Sequence, residues 1–190
     1  MNELPLADLP WEGLLSIALP QQRHRTLVAM LKRAMQTSNG AVALMEGQAV
    51  RQLNDRHRAT HLVCLVTDEE TLAASHLRAW SFKQIGHSLF HGWVPIIIHL
   101  VGVPSLNGGQ LHEVQEGLLA WEPDAPQAQT VLALLDDRTA EIGEAITQCG
   151  AAYHELCHAS GQLAMIGPRK WRLHLGREKI LEYLRQQGKI

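Results

Sequence analysis

The chain contains 190 residues, of which 46% are hydrophobic and 19% are charged, and its formal net charge at pH 7 is −2. This length and apolar content fit one folded domain with a sizeable core. The balanced charge excludes a polycation, so any binding of nucleic acid requires a local basic patch.

Three features of the sequence bear on the compartment of the protein. A run of about eighteen apolar residues is absent, which predicts no membrane span. Residues 1–20 carry acidic groups where a secretory signal would carry basic ones. The three cysteines, Cys64, Cys149 and Cys157, form no CxxC pair and are expected to be reduced thiols. We therefore expect a cytoplasmic protein.

The predicted elements begin with an extended N-terminus over 1–13 and a strand at LLSIAL, residues 14–19. Apolar residues at helical spacing predict a helix after Pro20, and Asn39-Gly40 is a typical stop for it. These two elements precede the segments that are predicted to form the sheet.

The next segments favour strands. AVALM at 41–45 and AVRQL at 49–53, separated by Glu46-Gly47, predict a hairpin. The apolar and β-branched residues at 60–66 predict a further strand.

A helix and an interior strand follow. Thr67 and Glu70 have the spacing of a capping box, which predicts a helix over 71–80. The apolar stretch at 93–103 predicts a buried strand.

Helical patterns dominate the rest of the chain. Residues 112–122 have the pattern of a short amphipathic helix, which the prolines after them are expected to break. One long helix is predicted over 136–165 and a solvated helix over 175–190.

This order of elements predicts an α+β fold. After the extended residues 1–13, a small mixed sheet with helices is expected over 14–110. A mainly helical C-terminal part is expected over 111–190.

One candidate site is the segment HELCHASG at 154–161, which matches HExxH through His154, Glu155 and His158. On a helix the two histidines share one face and can chelate Zn²⁺, while the glutamate takes a proton from bound water. A third protein ligand is required, and the spacing fixes none. The alternative is an ordinary helix with half-exposed histidines, so a zinc peptidase stays an alternative function.

A second candidate site is the segment NDRHR, which ends in Arg56, His57 and Arg58. These side chains offer several donors to a phosphate, and a guanidinium can bind it through two hydrogen bonds. If a helix opens at this point, its free N–H groups add to the anion site. The alternative is a basic surface cluster without a ligand.

The order of these segments resembles the ParB/sulfiredoxin superfamily. The matching features are a strand at 14–19, the letters PQQR from Pro20, a helix that stops at Gly40, and the NDRHR motif. The resemblance covers about residues 14–66. It implies a ParB-like core that binds the phosphates of a nucleotide or nucleic acid.

The chain departs from this pattern at two motif positions. Arg56 stands where sulfiredoxins carry their catalytic cysteine, and Asp55 replaces the motif glycine. Because the nucleophilic thiolate is missing, sulfinic-acid reduction is not expected. The residues after 111 are also too few and too acidic for the DNA-binding and dimerisation parts of partitioning ParB proteins.

A stand-alone member of this size resembles plasmid-encoded fertility-inhibition proteins of the superfamily. That resemblance implies a cytoplasmic protein, at the inner face of the membrane, that blocks conjugative DNA transfer through type IV secretion. It implies nuclease (DNase) and ATPase activities, with DNA, ATP and the secretion coupling machinery as partners. The remaining alternative is a non-catalytic inhibitor that uses the fold as a protein-binding scaffold.

For a phosphate-handling site, the basic residues receive the binding roles. Arg56 and Arg58 would hold the phosphate and neutralise the charge that builds up during attack on phosphorus. Arg23 and Arg25, from the first turn of the preceding helix, would line the same pocket.

The remaining residues of the motif receive the catalytic roles. His57 would be the acid/base, because the pKa of imidazole lies near neutral. Asp55, or Glu46 at the predicted turn, would orient water or bind Mg²⁺.

Overall fold

The computed structural model describes residues 20–35, 41–58, 62–103, 106–115, 118–161 and 177–190. The predicted strand at 14–19 and the predicted stop at Asn39-Gly40 lie outside these ranges. Within the described ranges, no helix is long and apolar enough to cross a membrane.

The described residues form six helices and seven strands, which confirms the α+β class. The helices are α1 (Pro20–Met35), α2 (Gln48–His57), α3 (Glu70–Ala79), α4 (Ala125–Asp137), α5 (Thr139–Ala159) and α6 (Arg177–Gln186). The strands are β1 (Val42–Met45), β2 (Leu62–Thr67), β3 (Lys83–Ile85), β4 (Ser88–His91), β5 (Ile96–Gly102), β6 (Gly109–Gln115) and β7 (Leu118–Pro123).

The seven strands form one mixed sheet in the order β3-β4-β5-β2-β1-β7-β6. Strand β1 runs antiparallel to β2 and parallel to β7, and β2 runs parallel to β5. The β1–β7 register pairs Leu44 with Ala120 and Met45 with Trp121. The carboxyl ends of β1 and β7 therefore lie side by side, and this edge of the sheet positions the candidate site.

Helices cover both faces of the sheet. Along β2, Val63 and Leu65 belong to one hydrophobic cluster, while Cys64 and Val66 belong to the other, because successive side chains of a strand point to opposite faces. The first cluster receives buried residues from α1, α3 and α6 and Leu156 from the end of α5, and the second receives them from α2, α4 and the earlier part of α5. Burial on both faces explains why the interior strands are almost continuously apolar.

The prediction of a second hairpin strand at 49–53 is wrong, because this segment lies in α2. Ala49 and Leu53, one helical turn apart, are the buried residues of that helix. Gly47 has φ 97° and ψ −165°, a conformation in which a Cβ is strained, and it turns the chain from β1 into α2. The strand predicted at 41–45 is confirmed as β1.

The amphipathic helix predicted at 112–122 is also wrong, because β6 and β7 form an antiparallel hairpin there. Ala120 and Trp121 are fully buried in β7, which lies between β1 and β6. The sheet therefore continues beyond residue 110, where the sequence pattern placed its end. This segment forms a strand because it pairs with β1, which is distant in the sequence.

The segment expected to break a helix instead begins α4. Oδ1 of Asp124 accepts a hydrogen bond from the backbone N–H of Gln127 at 3.0 Å, as an N-cap residue does. Pro126 lies in the first turn, where its missing N–H costs no hydrogen bond.

The C-terminal helices differ in detail from their predictions. The helix predicted over 136–165 is divided at Arg138, where α4 ends and α5 begins, and its last residues, 162–165, lie outside the described ranges. The last helix is more than a solvated element, because Ile180, Leu181 and Leu184 of α6 are buried in the core. The predicted helices after Pro20 and over 71–80, and the strands at 60–66 and 93–103, are confirmed as α1, α3, β2 and β5.

Candidate functional site

The ends of β1 and β7 place two carboxylates beside the start of α2. The backbone N–H of Glu46 donates to the carbonyl of Trp121 at 3.0 Å, which extends the pairing of these strands by one residue. A Cβ on Gly47 would lie 3.0 Å from Oε1 of Glu122, so the Glu122 side chain rests against the turn. Glu46 and Glu122 therefore flank the first turn of α2.

The outward side of α2 carries a row of polar side chains. Arg51, Asn54, Asp55 and Arg58 are separated by the intervals of one helical face. With Glu46, Gly47 and Glu122 they line an open pocket of about 650 Å³. The apolar part of its lining is Leu44, Met45, Val50, Leu62, Val63 and Cys64. A pocket of this size can admit a small molecule such as a nucleotide.

One further arginine reaches the pocket from α1. Nη2 of Arg25 lies 3.7 Å from Oε1 of Glu46, and Nε2 of His112 on β6 lies 3.4 Å from Oε2. The Glu46 carboxylate is therefore shared between a permanent cation and an imidazole that becomes a cation only when protonated. This cluster ties α1 and β6 to the end of β1.

Four of the residues that the sequence predicted for a phosphate site lie together in the structure. Arg25, Glu46, Asp55 and Arg58 all line the pocket. Arg23 belongs to α1, but its side chain lies outside the described part of the structure.

The other two nominated residues of the motif do not line the pocket. Nη1 of Arg56 instead donates to Oδ1 of Asp136 on α4, in an ion pair about half exposed on both sides. His57 lies one turn after the buried Leu53, and its Nε2 is buried. Burial, and secondarily the charge of Arg56, lower the pKa of His57, so the ring is neutral at neutral pH.

The NDRHR motif ends a helix and does not open one. Arg58 follows α2 in a left-handed conformation, φ 49° and ψ 33°, and its N–H donates to the carbonyls of Asn54 and Asp55. The expectation that free helix N–H groups bind an anion at this motif is therefore wrong. The basic side chains lie instead at the negative end of the helix dipole, which stabilises their charge.

Three polar residues near the pocket were not predicted from the sequence. Arg51 shares a helical face with Arg58, but that periodicity carries a signal only once the segment is recognised as a helix. Glu122 and His112 come from strands that were predicted as helix. Their approach to Glu46 depends on strand pairing, for which the local sequence has no signal.

The zinc candidates lie near the end of α5. The helix is confirmed, and His154, Glu155 and His158 are all exposed on it. In the described ranges, no group of three His, Cys, Asp or Glu side chains is arranged to bind a metal. The zinc hypothesis thus has no third ligand there and stays a prediction from the motif.

Comparison of the chain with protein-family models, curated proteins and solved structures finds no match. The resemblance to the ParB/sulfiredoxin superfamily therefore rests on the sequence motifs.

Proposed function

We propose that the pocket binds the phosphates of a nucleotide or of DNA and hydrolyses a phosphate ester or anhydride. The observation that carries this proposal is the convergence of Arg25, Arg51 and Arg58 on one pocket that also holds carboxylates. Guanidinium groups bind phosphate oxygens through paired donors and offset the negative charge of a phosphoryl transition state.

Arg51 and Arg58 are the phosphate ligands in this proposal. Both are exposed, and neither side chain is paired with another residue among those the structure describes. Seven residues of helix separate them by about 10 Å along the axis of α2. This separation suits a ligand with more than one phosphate, such as ATP or a DNA strand.

Arg25 has a different role, because it is already paired with Glu46. The pair fixes the Glu46 carboxylate at the end of β1 and keeps part of the Arg25 charge from a ligand. Arg25 therefore contributes to the positive potential of the pocket and orients Glu46. In this proposal Arg51 and Arg58 make the direct contacts with the phosphates.

The carboxylates supply the groups that activate and place water. Asp55 lies on the same side of α2 as Arg51 and Arg58, and Glu122 lies at the other end of the helix. Mg²⁺ is commonly held by one or two carboxylates together with substrate phosphates, and Glu122, at the opposite end of α2 from Asp55, offers one such carboxylate. When bound, Mg²⁺ would supply charge neutralisation, and Asp55 would orient the attacking water by accepting its hydrogen bond.

The sequence motifs support a more specific proposal for the fold family and for the cellular role. We propose a ParB/sulfiredoxin-like core over 14–110, because Arg25 follows the PQQR segment and Asp55 and Arg58 belong to the phosphate motif. By resemblance to the plasmid fertility-inhibition protein Osa, the cellular role would be to block conjugative DNA transfer at the type IV secretion machinery. The protein would act in the cytoplasm, at the inner face of the membrane.

Binding and hydrolysis test the biochemical part. Purified protein is titrated with ATP and with a short DNA duplex, and release of phosphate and cleavage of DNA are followed with and without Mg²⁺. Arg58→Ala and Arg51→Ala should each weaken binding by about 10- to 100-fold, as the loss of a charge-assisted hydrogen bond does.

Arg56→Ala is the matched control, because it removes an equal charge two positions from Arg58 and outside the pocket. It should bind as the unmodified protein does. Equal losses in Arg56→Ala and Arg58→Ala would mean that only the general charge of the helix end matters, and the pocket proposal would be abandoned.

The cellular part is tested by conjugation frequency from donor cells that express the protein. Expression should lower transfer, and Arg51→Ala together with Arg58→Ala should restore it. Full inhibition by the folded double variant would instead identify a non-catalytic, protein-binding inhibitor.

A further inference from the structure

Strand β6 forms an open edge of the sheet. Among the described strands it pairs with β7 alone, because it is the last strand in the order of the sheet. Four consecutive residues of β6, Gln110–Glu113, are exposed. Since successive side chains of a strand point to opposite faces, neither helical layer covers this part of β6. Leu111 is 45% exposed and is the one exposed large hydrophobic residue in the described part of the chain.

Pairing with β7 fixes which backbone groups of β6 point outward. The N–H of Asp124 donates to the carbonyl of Gly108 at 2.9 Å. The next pair, Gly109 with Pro123, is therefore a non-hydrogen-bonded pair, because the two kinds of pair alternate in an antiparallel ladder. Pro123, which has no N–H, fits that position. The N–H and C=O groups of Gly109 consequently point away from β7.

Leu111 has the same backbone orientation two residues later. It pairs with Trp121 in the next non-hydrogen-bonded pair of the ladder. The carbonyl of Trp121 agrees with this, because it accepts from the N–H of Glu46 at the end of β1 and so points away from β6. The N–H and C=O groups of Leu111 are therefore directed to the open side of the sheet.

The two edges of the sheet differ in how they resist a further strand. Edge strand β3 has three residues and begins with Lys83, and short strands with a lysine discourage pairing with another chain. Strand β6 has seven residues, with no lysine or proline among them. A bulge between Glu113 and Gln115 limits its regular part to 109–113. This part, with its exposed leucine, is a template for a further strand.

We propose that a second copy of this chain pairs with β6, antiparallel and about a two-fold axis at Leu111. In this register the outward N–H and C=O groups of Leu111 bond to those of Leu111 in the second copy, and the two side chains cover each other. Gln110 of each copy lies opposite His112 of the other. Gly109 lies opposite Glu113, so no like charges meet across the pair.

A second copy suits this edge because the edge is complementary to itself in that register. Two-fold pairing centred one residue later, at His112, would place Leu111 opposite the Glu113 carboxylate of the other copy and set two imidazoles against each other. Centring at Leu111 removes both mismatches. The resulting interface is isologous, as in the commonest class of homo-oligomer.

The dimer reaches the neighbourhood of the pocket. It places Gln110 of the second copy beside His112, whose Nε2 lies 3.4 Å from Oε2 of Glu46 in the pocket lining. The dimer rests on the edge strand alone and holds whether or not the pocket binds phosphate.

Sedimentation equilibrium of the full chain, from low to high micromolar concentration, tests the dimer. We expect a reversible equilibrium with a limiting mass of twice 21.1 kDa, because pairing of two short edges buries less surface than a permanent interface does. A monomer at every concentration would overturn the proposal, and the edge would then be open or covered by something other than a second copy.

Two lysine variants test where the copies meet. Leu111→Lys places two ammonium groups opposite each other at the axis and removes the apolar contact, so it should weaken the dimer by about tenfold or more. Gln84→Lys adds the same charge at an exposed position of the opposite edge, on β3, and should associate as the parent does. Circular dichroism checks that both are folded. Parent-like association of Leu111→Lys, or equal weakening in both variants, would overturn the proposal.

Oxidative cross-linking tests the register. Cα atoms of a hydrogen-bonded antiparallel pair lie about 5.5 Å apart, within the range that a disulfide spans. In a Cys157→Ser background, which leaves only the buried Cys64 and Cys149, Leu111→Cys should therefore form a covalent dimer on oxidation. His112→Cys is the matched variant and should cross-link poorly. Stronger cross-linking at position 112 than at 111 would refute the two-fold axis at Leu111.

Discussion

Arg56 is paired with Asp136 across the space between α2 and α4, while Arg58, two residues later, opens on the pocket. Two neighbouring arginines of one motif therefore have different tasks. Arg56 pairs the end of α2 with a neighbouring helix, and the exposed Arg58 lines the pocket.

The Arg56–Asp136 pair should contribute little to stability. Both side chains are about half exposed, so water and salt screen their attraction. We expect Asp136→Asn to lower the free energy of unfolding by less than about 1 kcal/mol, measured by urea denaturation. The difference should shrink further at high salt, and a salt-independent loss of several kcal/mol would contradict this reading.

Arg58 should lower the stability of the folded protein while it contributes to the binding of a phosphate ligand. Its left-handed backbone, φ 49°, is strained for a residue with a Cβ. Arg58→Gly removes the strain and should raise the free energy of unfolding by roughly 0.5–1 kcal/mol, while phosphate-ligand binding falls as in Arg58→Ala. The comparison of the two variants in thermal unfolding and ligand titration checks both effects. Equal stability of Arg58→Gly and Arg58→Ala would show that the backbone is not strained there.

The turn into α2 should tolerate only glycine. Gly47→Ala places a Cβ on a backbone with φ 97° and 3.0 Å from the Glu122 carboxylate. We expect a loss of about 1–3 kcal/mol in the free energy of unfolding.

Gly143→Ala in α5 is the opposite control. Apart from its own helix backbone and chain neighbours, no described atom lies within 4 Å of the added Cβ, and the residue is helical. This variant should gain about 0.5–1 kcal/mol. Chemical denaturation of both variants measures the pair, and a Gly47→Ala protein as stable as the parent would refute the role of the turn.

Acid should destabilise the protein through two buried histidines. Burial lowers the pKa of His91 and of His99 to about 3, so both rings are neutral in the folded protein. In the unfolded chain their pKa is about 6.5. The unfolded chain therefore binds more protons between pH 6.5 and 3, and stability is complete above that window and falls as pH decreases through it.

The size of this effect follows from linkage. Each histidine should add a slope of about 1.4 kcal/mol per pH unit within the window. Urea denaturation of His99→Asn at pH 6 and pH 5 should show a slope lower by about that amount than the parent slope. A His99→Asn protein with the parent slope would show that this ring is protonated when folded.

The cysteines should react in a fixed order. Burial raises the pKa of the Cys64 and Cys149 thiols to about 12, and it raises the pKa of the half-buried Cys157 as well. Because the thiolate is the reactive form, the native protein should be alkylated slowly, with Cys157 first. Mass spectrometry of timed samples reads the order, and denaturant should expose all three. Rapid labelling of native Cys64 would contradict the buried position of β2.

The sequence identified elements whose pattern is local and strong. The helical spacing after Pro20 and the apolar letters of β2 and β5 gave correct predictions, because burial of one helix face or of a whole strand leaves a direct mark in the residue order. Segments of mixed polarity were misread. Residues 49–53 and 112–122 each fit helix and strand, and pairing with distant partners decided between the two.

The sequence by itself supplied the residues of the proposed phosphate site, with the basic motif around Arg58 and the helix with Arg25 for binding and the acids Glu46 and Asp55 for placing water or Mg²⁺. Only the tertiary structure decided which of them meet. Parallel pairing of β1 with β7 brings Glu122 to Gly47, and the helical path of α2 turns Arg51 and Arg58 to the pocket. The same helix turns Arg56 to Asp136 and buries the Nε2 atom of His57. The direction of each side chain depends on whether its segment is a helix or a strand, and long-range packing selects between the two.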